Sequence, residues 1–236
     1  MTFLHIVCEG QTEETFVRDV LIPALSPPLL VDYSLVETST GHKGGGLVYS
    51  KVRKHLRNTL RQLRAPFVTT LFDLYRLDGS FPGHAEASAK PLPQRLGLLN
   101  AKFRDDIIAA AGCAPERFLP YLQPYEFEAL LFSDVAALTA LEVRWAGAVG
   151  KLQAVRDSAE SPEHINDGPT TKPAARLTQF LTQPKYSKTL HGPIAVSLIG
   201  LPKIEQECRY FAGWLAALRA LAAPGISEGA EDGEAV

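Results

Sequence analysis

Apolar positions follow two regimes along the chain. In the first half, short apolar runs alternate with longer amphipathic stretches. Phe3–Val7 is brief, partly β-branched and closed by Gly10, which predicts a buried strand. Thr12 reads as the N-cap of the following helix, with Glu13 and Glu14 in its first turn, and the helix runs to Leu25, where Pro27-Pro28 stops it. Leu30–Glu37 alternates as a second strand. The Gly-rich loop Ser39–Gly46, a helix over Leu47–Arg64 and a third strand, Phe67–Phe72, follow, the strand ending at Asp73. A loop rich in Gly and Pro, Leu74–Pro93, leads to a helix over Gln94–Ala111, and Arg117–Gln123 reads as the fourth strand. Strands separated by helices of this length predict an α/β fold with a parallel four-stranded sheet flanked by helices.

Beyond Pro124 the periodicity becomes helical throughout, over Tyr125–Leu141, Val143–Ser158, Pro173–Thr182, Pro193–Ile199 and Ile204–Ala222. The pattern divides the chain into an α/β core, residues 1–134, and a helical extension packed on it, 135–222. A tail, 223–236, carries Glu228, Glu231, Asp232 and Glu234 without a base and is expected to be disordered.

Composition narrows the classes. The 236 residues are 46% hydrophobic and 21% charged, as in a soluble globular protein. No apolar run is long enough for a bilayer, and Glu9 interrupts the first apolar stretch too early for a secretory signal. Cys8, Cys113 and Cys208 are far apart and odd in number, which argues against a disulfide framework or a thiolate zinc site and makes a reducing cytoplasm the expected compartment. A net charge of −2 exerts no global pull on nucleic acid, so such binding needs a local patch.

The helix Leu47–Arg64 offers one. Val48, Val52, Leu56, Leu60 and Leu63 fall at the spacing of a sheet-facing stripe, while Lys51, Arg53, Lys54, Arg57, Arg61 and Arg64 fall elsewhere on the helix, and no acid occurs from Thr38 to Phe72. A solvated face and a phosphate-binding surface both fit. Charge of one sign is less usual for the former, and phosphate contacts are the main source of nucleic-acid affinity.

Two carboxylates occupy equivalent places. Glu9 follows the first strand and Asp73 ends the third, so in a parallel sheet both emerge at the carboxyl edge, where open α/β folds keep their sites. Alternatively, Glu9 caps the following helix electrostatically and Asp73 caps a turn. If the strands are neighbours, the repulsion between the two anions is relieved by a proton or a divalent cation. Oxygen-only ligands point to Mg²⁺ or Mn²⁺. Glu126 and Glu128 lie two apart, so on a helix only one of them joins the cluster.

The ordered set VCEGQTEETFV, FDLYRLDGSFPG, QPYEFEALLFSD, HINDGPTTKP and KTLHGPIAVSLIGL resembles a stand-alone bacterial TOPRIM-like (topoisomerase–primase) family, over nearly everything from Thr2 to Leu221. The resemblance implies that Glu9 is the general acid/base and that Asp73 binds the metal. The second Asp expected two residues after Asp73 is replaced by Tyr75, which puts a two-metal mechanism in doubt, and Asp78 is the substitute offered by the loop. Similarity to overcoming-lysogenization-type nucleases suggests Glu128 as the further acid and one of Lys172, Lys185 or Lys188 as the further basic residue. It further implies an ATPase partner of AAA or ABC type, in phage defence or DNA repair.

In the second half, Asn166-Asp167-Gly168-Pro169 is first of all a turn. Lys188 and His191, ahead of Gly192-Pro193, stand where a helix N-terminus receives a phosphate; a surface lysine with a capping histidine fits equally. Tyr75, Phe81 and Tyr125 either stack bases or pack at the sheet edge. The loop at Gly41–Gly46 lacks the spacing of a nucleotide-triphosphate loop, and no G-x-S-x-G, G-x-G-x-x-G or H-E-x-x-H occurs. The expectation is a Mg²⁺- or Mn²⁺-dependent phosphodiester hydrolase acting on RNA or DNA. In it Glu9, Asp73, Asp78 and Glu128 hold the ion, Lys188 clamps the phosphate, and Glu13, Tyr75, Glu126, Asn166, Asp167, Lys172 and His191 lie nearby. The alternative is a TOPRIM-like binding module without catalysis, for a partner ATPase or a nucleotide. A small-nucleotide phosphotransferase is a third reading, which the basic stripe disfavours.

Overall fold

The computed structural model describes residues 1–39, 42–43, 47–64, 66–75, 77–165 and 168–222. Strand β1 (Thr2–Cys8) leads into helix α1 (Gln11–Phe16), which continues through a π-helical turn, Val17–Leu21, to Leu25. Strand β2 (Leu29–Leu35), helix α2 (Tyr49–Leu60), strand β3 (Phe67–Asp73) and helix α3 (Leu92–Ala111) follow. Two short strand segments, β4 (Phe118–Leu119) and β5 (Leu122–Gln123), complete the sheet. Its order is β2–β1–β3–β4, every pairing is parallel, and β5 extends the same edge along the end of β3. The later helices are α4 (Val135–Ala140), α5 (Val149–Asp157), α6 (Pro173–Phe180), α7 (Lys188–Ile199), α8 (Leu201–Glu207) and α9 (Arg209–Ala220).

The central strands are buried almost without interruption because helices cover both faces. Leu4, Ile6 and Cys8 point to one face, where α1 and the later helices bring Phe16, Phe127, Val196, Phe211 and Leu215 into one cluster. Val7, Val68 and Phe72 point to the other, against Val52, Leu56, Leu99 and Phe103 of α2 and α3. The helical extension is thus part of the main core: Phe16 meets Phe211 at 6.1 Å, and Trp214 Nε1 donates to Thr69 Oγ1 at 2.8 Å.

Several predicted boundaries move, each for a local reason. The fourth strand is split at Pro120, which has no N–H to give. Thr70 Oγ1 fills the gap by accepting from the Tyr121 N–H and donating to the Tyr121 carbonyl. Gly10, not Thr12, stands at the start of α1, and Thr12 is buried. Helix α2 ends at Leu60, so Leu63 is fully exposed rather than sheet-facing, and Val48 at its start is exposed as well. The helix expected over Tyr125–Leu141 is a 3-10 turn, Phe127–Ser133, then α4, separated by Asp134, whose carboxylate accepts from the Ala137 N–H at 2.9 Å. Helix α7 begins at Lys188 instead of Pro193, which sits inside it, and the last predicted helix breaks at Cys208 into α8 and α9. No described helix is long and apolar enough to cross a membrane. The predicted tail, 223–236, lies outside the described residues.

Candidate functional site

The carboxyl edge of the sheet gathers acids from three segments. Glu9 leaves β1 with its N–H on the Leu71 carbonyl (3.3 Å), and its Oε2 accepts from the Asp73 N–H (2.9 Å), pinning two strand ends together. Glu13 lies in the first turn of α1 and is buried against Gly10, where a Cβ would stand 3.2 Å from Glu13 Oε2. Asp73 Oδ1 accepts from the Phe127 N–H at 2.8 Å. The chain reaches that position through Tyr125, whose φ of 55° is rare for an aromatic residue and swings Glu126, Phe127 and Glu128 back over the sheet edge. Glu128 is 0% exposed.

Lys188, the first residue of α7, extends its ammonium among these groups: 3.1 Å from Glu128 Oε2, 3.4 Å from Asp73 Oδ2 and 3.9 Å from Glu13 Oε1. Burial by itself lowers the lysine pKa, but Asp73, Glu128 and Glu13 outweigh it and hold the ammonium well above its ordinary range. Burial pushes Glu13 up to about 7; the charges of Asp73 and Glu9 add to it and Lys188 opposes. Burial likewise pushes Glu128 up to about 7, opposed by Lys188 and reinforced by Asp73, Glu126 and Glu13. Asp73 moves up for the same reason, against the pull of Lys188. One ammonium does not neutralise this many carboxylates, so the cluster favours a further proton or cation.

The donor set fits a hard divalent cation in kind. It is oxygen-only, and the fully buried Glu128 carboxylate is met by the Lys188 ammonium, 3.1 Å from Oε2, as an ion pair. In the arrangement described, no three Asp, Glu, His or Cys side chains among the described residues come close enough together to hold an ion. The place between them is taken by the Lys188 ammonium.

The remaining expected residues divide clearly. Glu126 precedes the 3-10 turn instead of riding on a helix and stays beside the cluster, but its carboxylate is engaged by Lys172 Nζ and by the Ala174 N–H (3.0 Å). Lys172 also lies over the Tyr75 ring, 4.1 Å from its centroid, so Tyr75 buttresses that pair. His191 is buried and caps rather than binds: its Nδ1 accepts from the Ser187 N–H at 2.8 Å and its ring packs on Trp145. Asp78 is turned to Ser80, whose N–H (3.0 Å) and hydroxyl it accepts from. These hydrogen bonds hold Asp78 below the ordinary Asp range. Asn166 and Asp167 lie outside the described residues.

The basic stripe is graded along α2. Arg53 pairs with Asp106 (2.7 Å), which also accepts from the Tyr49 hydroxyl. Arg57 turns to Asn58, and Arg61 donates to the carbonyls of Ala110 and Ala111, capping the end of α3. Arg64 lies over the Phe3 ring at 5.3 Å. Phe3 opens β1 and Glu9 follows its end, so Arg61 and Arg64 sit at the opposite edge of the sheet from the acids. Lys51 and Lys54, both exposed, belong to the end of α2 nearer the carboxyl edge. Tyr186, two residues before Lys188, was not expected: its buried hydroxyl has no partner among the described residues. Burial, and next the Glu128 charge, push its pKa far above the ordinary tyrosine value, so it remains a donor.

The chain matches the family model described as Domain of unknown function (DUF4276) over residues 8–219, and it belongs to that family. It matches no curated protein and no solved structure.

Proposed function

We propose that this DUF4276 protein is a divalent-cation-dependent phosphodiester hydrolase of the TOPRIM type, acting on nucleic acid at the carboxyl edge of its sheet. The reading is carried by the convergence of Glu13, Asp73 and Glu128 on one lysine, with Glu9 bonded to the Asp73 N–H beside them and the Glu128 carboxylate fully buried. Surplus buried carboxylate is tolerated only with protons or cations beside it. Glu9, Asp73 and Glu128 would hold the ion, which polarises a phosphoryl oxygen and lowers the pKa of water when bound. Glu9 is the general acid/base and also keeps the two strand ends in register through the Asp73 N–H. Lys188, whose side chain is 39% exposed, is the donor that meets the substrate phosphate. The ATPase partner and the setting in phage defence or repair follow from the family resemblance alone.

Nicking of DNA and RNA with Mg²⁺ or Mn²⁺ tests the reading, with wild type beside Glu9→Gln. Glutamine keeps the acceptor for the Asp73 N–H, so the fold is preserved while acid/base action is lost. Cleavage is expected to need the ion and to fall by roughly 100-fold or more in the variant; equal cleavage by the two proteins overturns the assignment.

One observation favours the second reading, a binding module. Leu190, Ile194 and Leu198 form an exposed apolar row at i, i+4 and i+8 on α7, the helix that begins with Lys188. On that reading, titration with Mn²⁺ gives no heat that Asp73→Asn abolishes, and neither nucleic acid is cut.

A further inference from the structure

Where the edge strand of the sheet breaks at Pro120, helices α3 and α9 leave a pocket of about 230 Å³, and none of the acids of the carboxyl edge lines it. Leu96 of α3, Leu119 and Leu122 of the split strand and Ala217 of α9 supply aliphatic wall. Tyr121 and Trp214, stacked with centroids 4.5 Å apart and planes at 8°, supply ring surface. The polar atoms of that stack are already bonded in the core: the Tyr121 hydroxyl donates to Gln123 Oε1 at 2.7 Å and Trp214 Nε1 to Thr69 Oγ1 at 2.8 Å. One polar group of the lining is left over. Asn100 Oδ1, on α3, is buried and has no hydrogen-bond partner among the described residues. An unmet buried acceptor is destabilising, and leucine would close the same wall without that penalty.

We propose that this pocket binds an uncharged, planar, one- or two-ring heterocycle whose N–H donates to Asn100 Oδ1. Each part of that description comes from the lining. No charged side chain borders the pocket, so a phosphorylated or ionised ligand would lose its hydration with no opposite charge in return. The volume is below the roughly 300–1,000 Å³ of sites for drug-sized molecules, which limits the occupant to a small ring system. Aromatic and aliphatic walls favour a flat apolar body, and the amide oxygen selects a donor on it. An added β-strand finds no footing at the break. The Leu119 carbonyl accepts from Thr69 Oγ1 at 2.6 Å, the Tyr121 N–H and carbonyl are both bonded to Thr70 Oγ1, and Pro120 between them has no N–H. Water is the competing occupant. The pocket is independent of the metal-dependent reading and stands whether or not that reading holds.

Indole and benzofuran share one outline, but only indole carries an N–H. Their binding to the full chain, followed by ligand-observed NMR up to millimolar concentration, tests the assignment. Wild type is expected to bind indole about tenfold more tightly than benzofuran, as follows when a buried acceptor is met by one ligand and left unmet by the other. Asn100→Leu keeps the outline of the wall and removes the acceptor. It is expected to bind the two probes equally and to melt at or above the wild-type temperature. Absence of indole binding to wild type shows that water alone meets the amide and overturns the site. Equal binding of the two probes to wild type overturns the role of Asn100. A preference for indole retained by Asn100→Leu places the bound ring elsewhere, and a lowered melting temperature of that variant shows that the amide is already bonded in the free protein; either overturns the proposal.

Discussion

At the scale of single residues, Lys188 is the counter-ion on which the edge of the sheet depends. Burial pushes Glu13 and Glu128 up to about 7 from the ordinary 4.5, so the folded protein binds more protons than the unfolded chain between those limits. Stability contributed by these groups is therefore complete at or below 4.5 and declines as pH rises towards 7. Replacing Lys188 by methionine removes the cation that restrains both shifts. Melting temperatures of wild type and Lys188→Met are expected to lie close together in acid and to separate as pH rises through neutrality, the variant falling further. Parallel curves at every pH refute the counter-ion role. The acids themselves were legible as strand-end positions, because a parallel sheet delivers Glu9 and Asp73 to one edge whatever the helices do. Asn100 was not: its importance comes from an unmet hydrogen bond in an apolar pocket, which leaves no pattern in the chain. Asp78 is engaged locally, because a serine two residues on supplies it with donors, a pairing that a sequence pattern does not single out.

At the scale of elements, helices end where a side chain serves the backbone. Helix α9 is capped from a distance by Glu163, which is fully buried in the turn Pro162–His164 and accepts from the N–H groups of Tyr210 and Phe211, both at 2.9 Å. Burial pushes this carboxyl up to about 7, with the two N–H groups and Arg209 pulling the other way. A raised carboxyl pKa again makes folding stability fall as pH climbs from 4.5 towards 7, here by up to about 1.4 kcal/mol per pH unit while the proton is being lost. Glu163→Gln stays neutral throughout, so its unfolding free energy, measured in urea across that window, is expected to fall less steeply than that of wild type. Identical slopes would mean that Glu163 does not carry the proton. Such caps join residues far apart in the chain, and for that reason the break at Cys208 was invisible to periodicity. The break at Pro120 was readable in principle, but its repair by Thr70 needed the neighbouring strand. The strand–helix alternation of the first half was legible because buried central strands read as short apolar runs. The second half was legible as helical, with boundaries displaced wherever 3-10 turns replace regular helix.

At the scale of the molecule, the sheet has two differently equipped edges, which decides how the basic stripe is to be understood. One-signed charge along Leu47–Arg64 read as a continuous surface, yet the stripe runs the length of a helix antiparallel to the strands and so spans both edges. Arg61 closes the carbonyl end of α3 with two hydrogen bonds, and Arg64 covers Phe3 at the edge away from the acids. Lys54 is exposed, in the first half of α2, the half nearer the carboxyl edge. A phosphate backbone led to Asp73 and Glu128 would pass the latter and miss the former. Arg61→Ala is therefore expected to lower stability by roughly 1–2 kcal/mol, the worth of its hydrogen bonds, without changing nucleic-acid affinity. Lys54→Ala is expected to leave stability unchanged while reducing the dependence of log affinity on log salt by about one contact's worth. Binding measured over a range of salt, alongside urea unfolding, separates the two. If Arg61→Ala alters the salt dependence as strongly as Lys54→Ala, nucleic acid contacts the whole helix, and its path cannot be confined to the acidic edge.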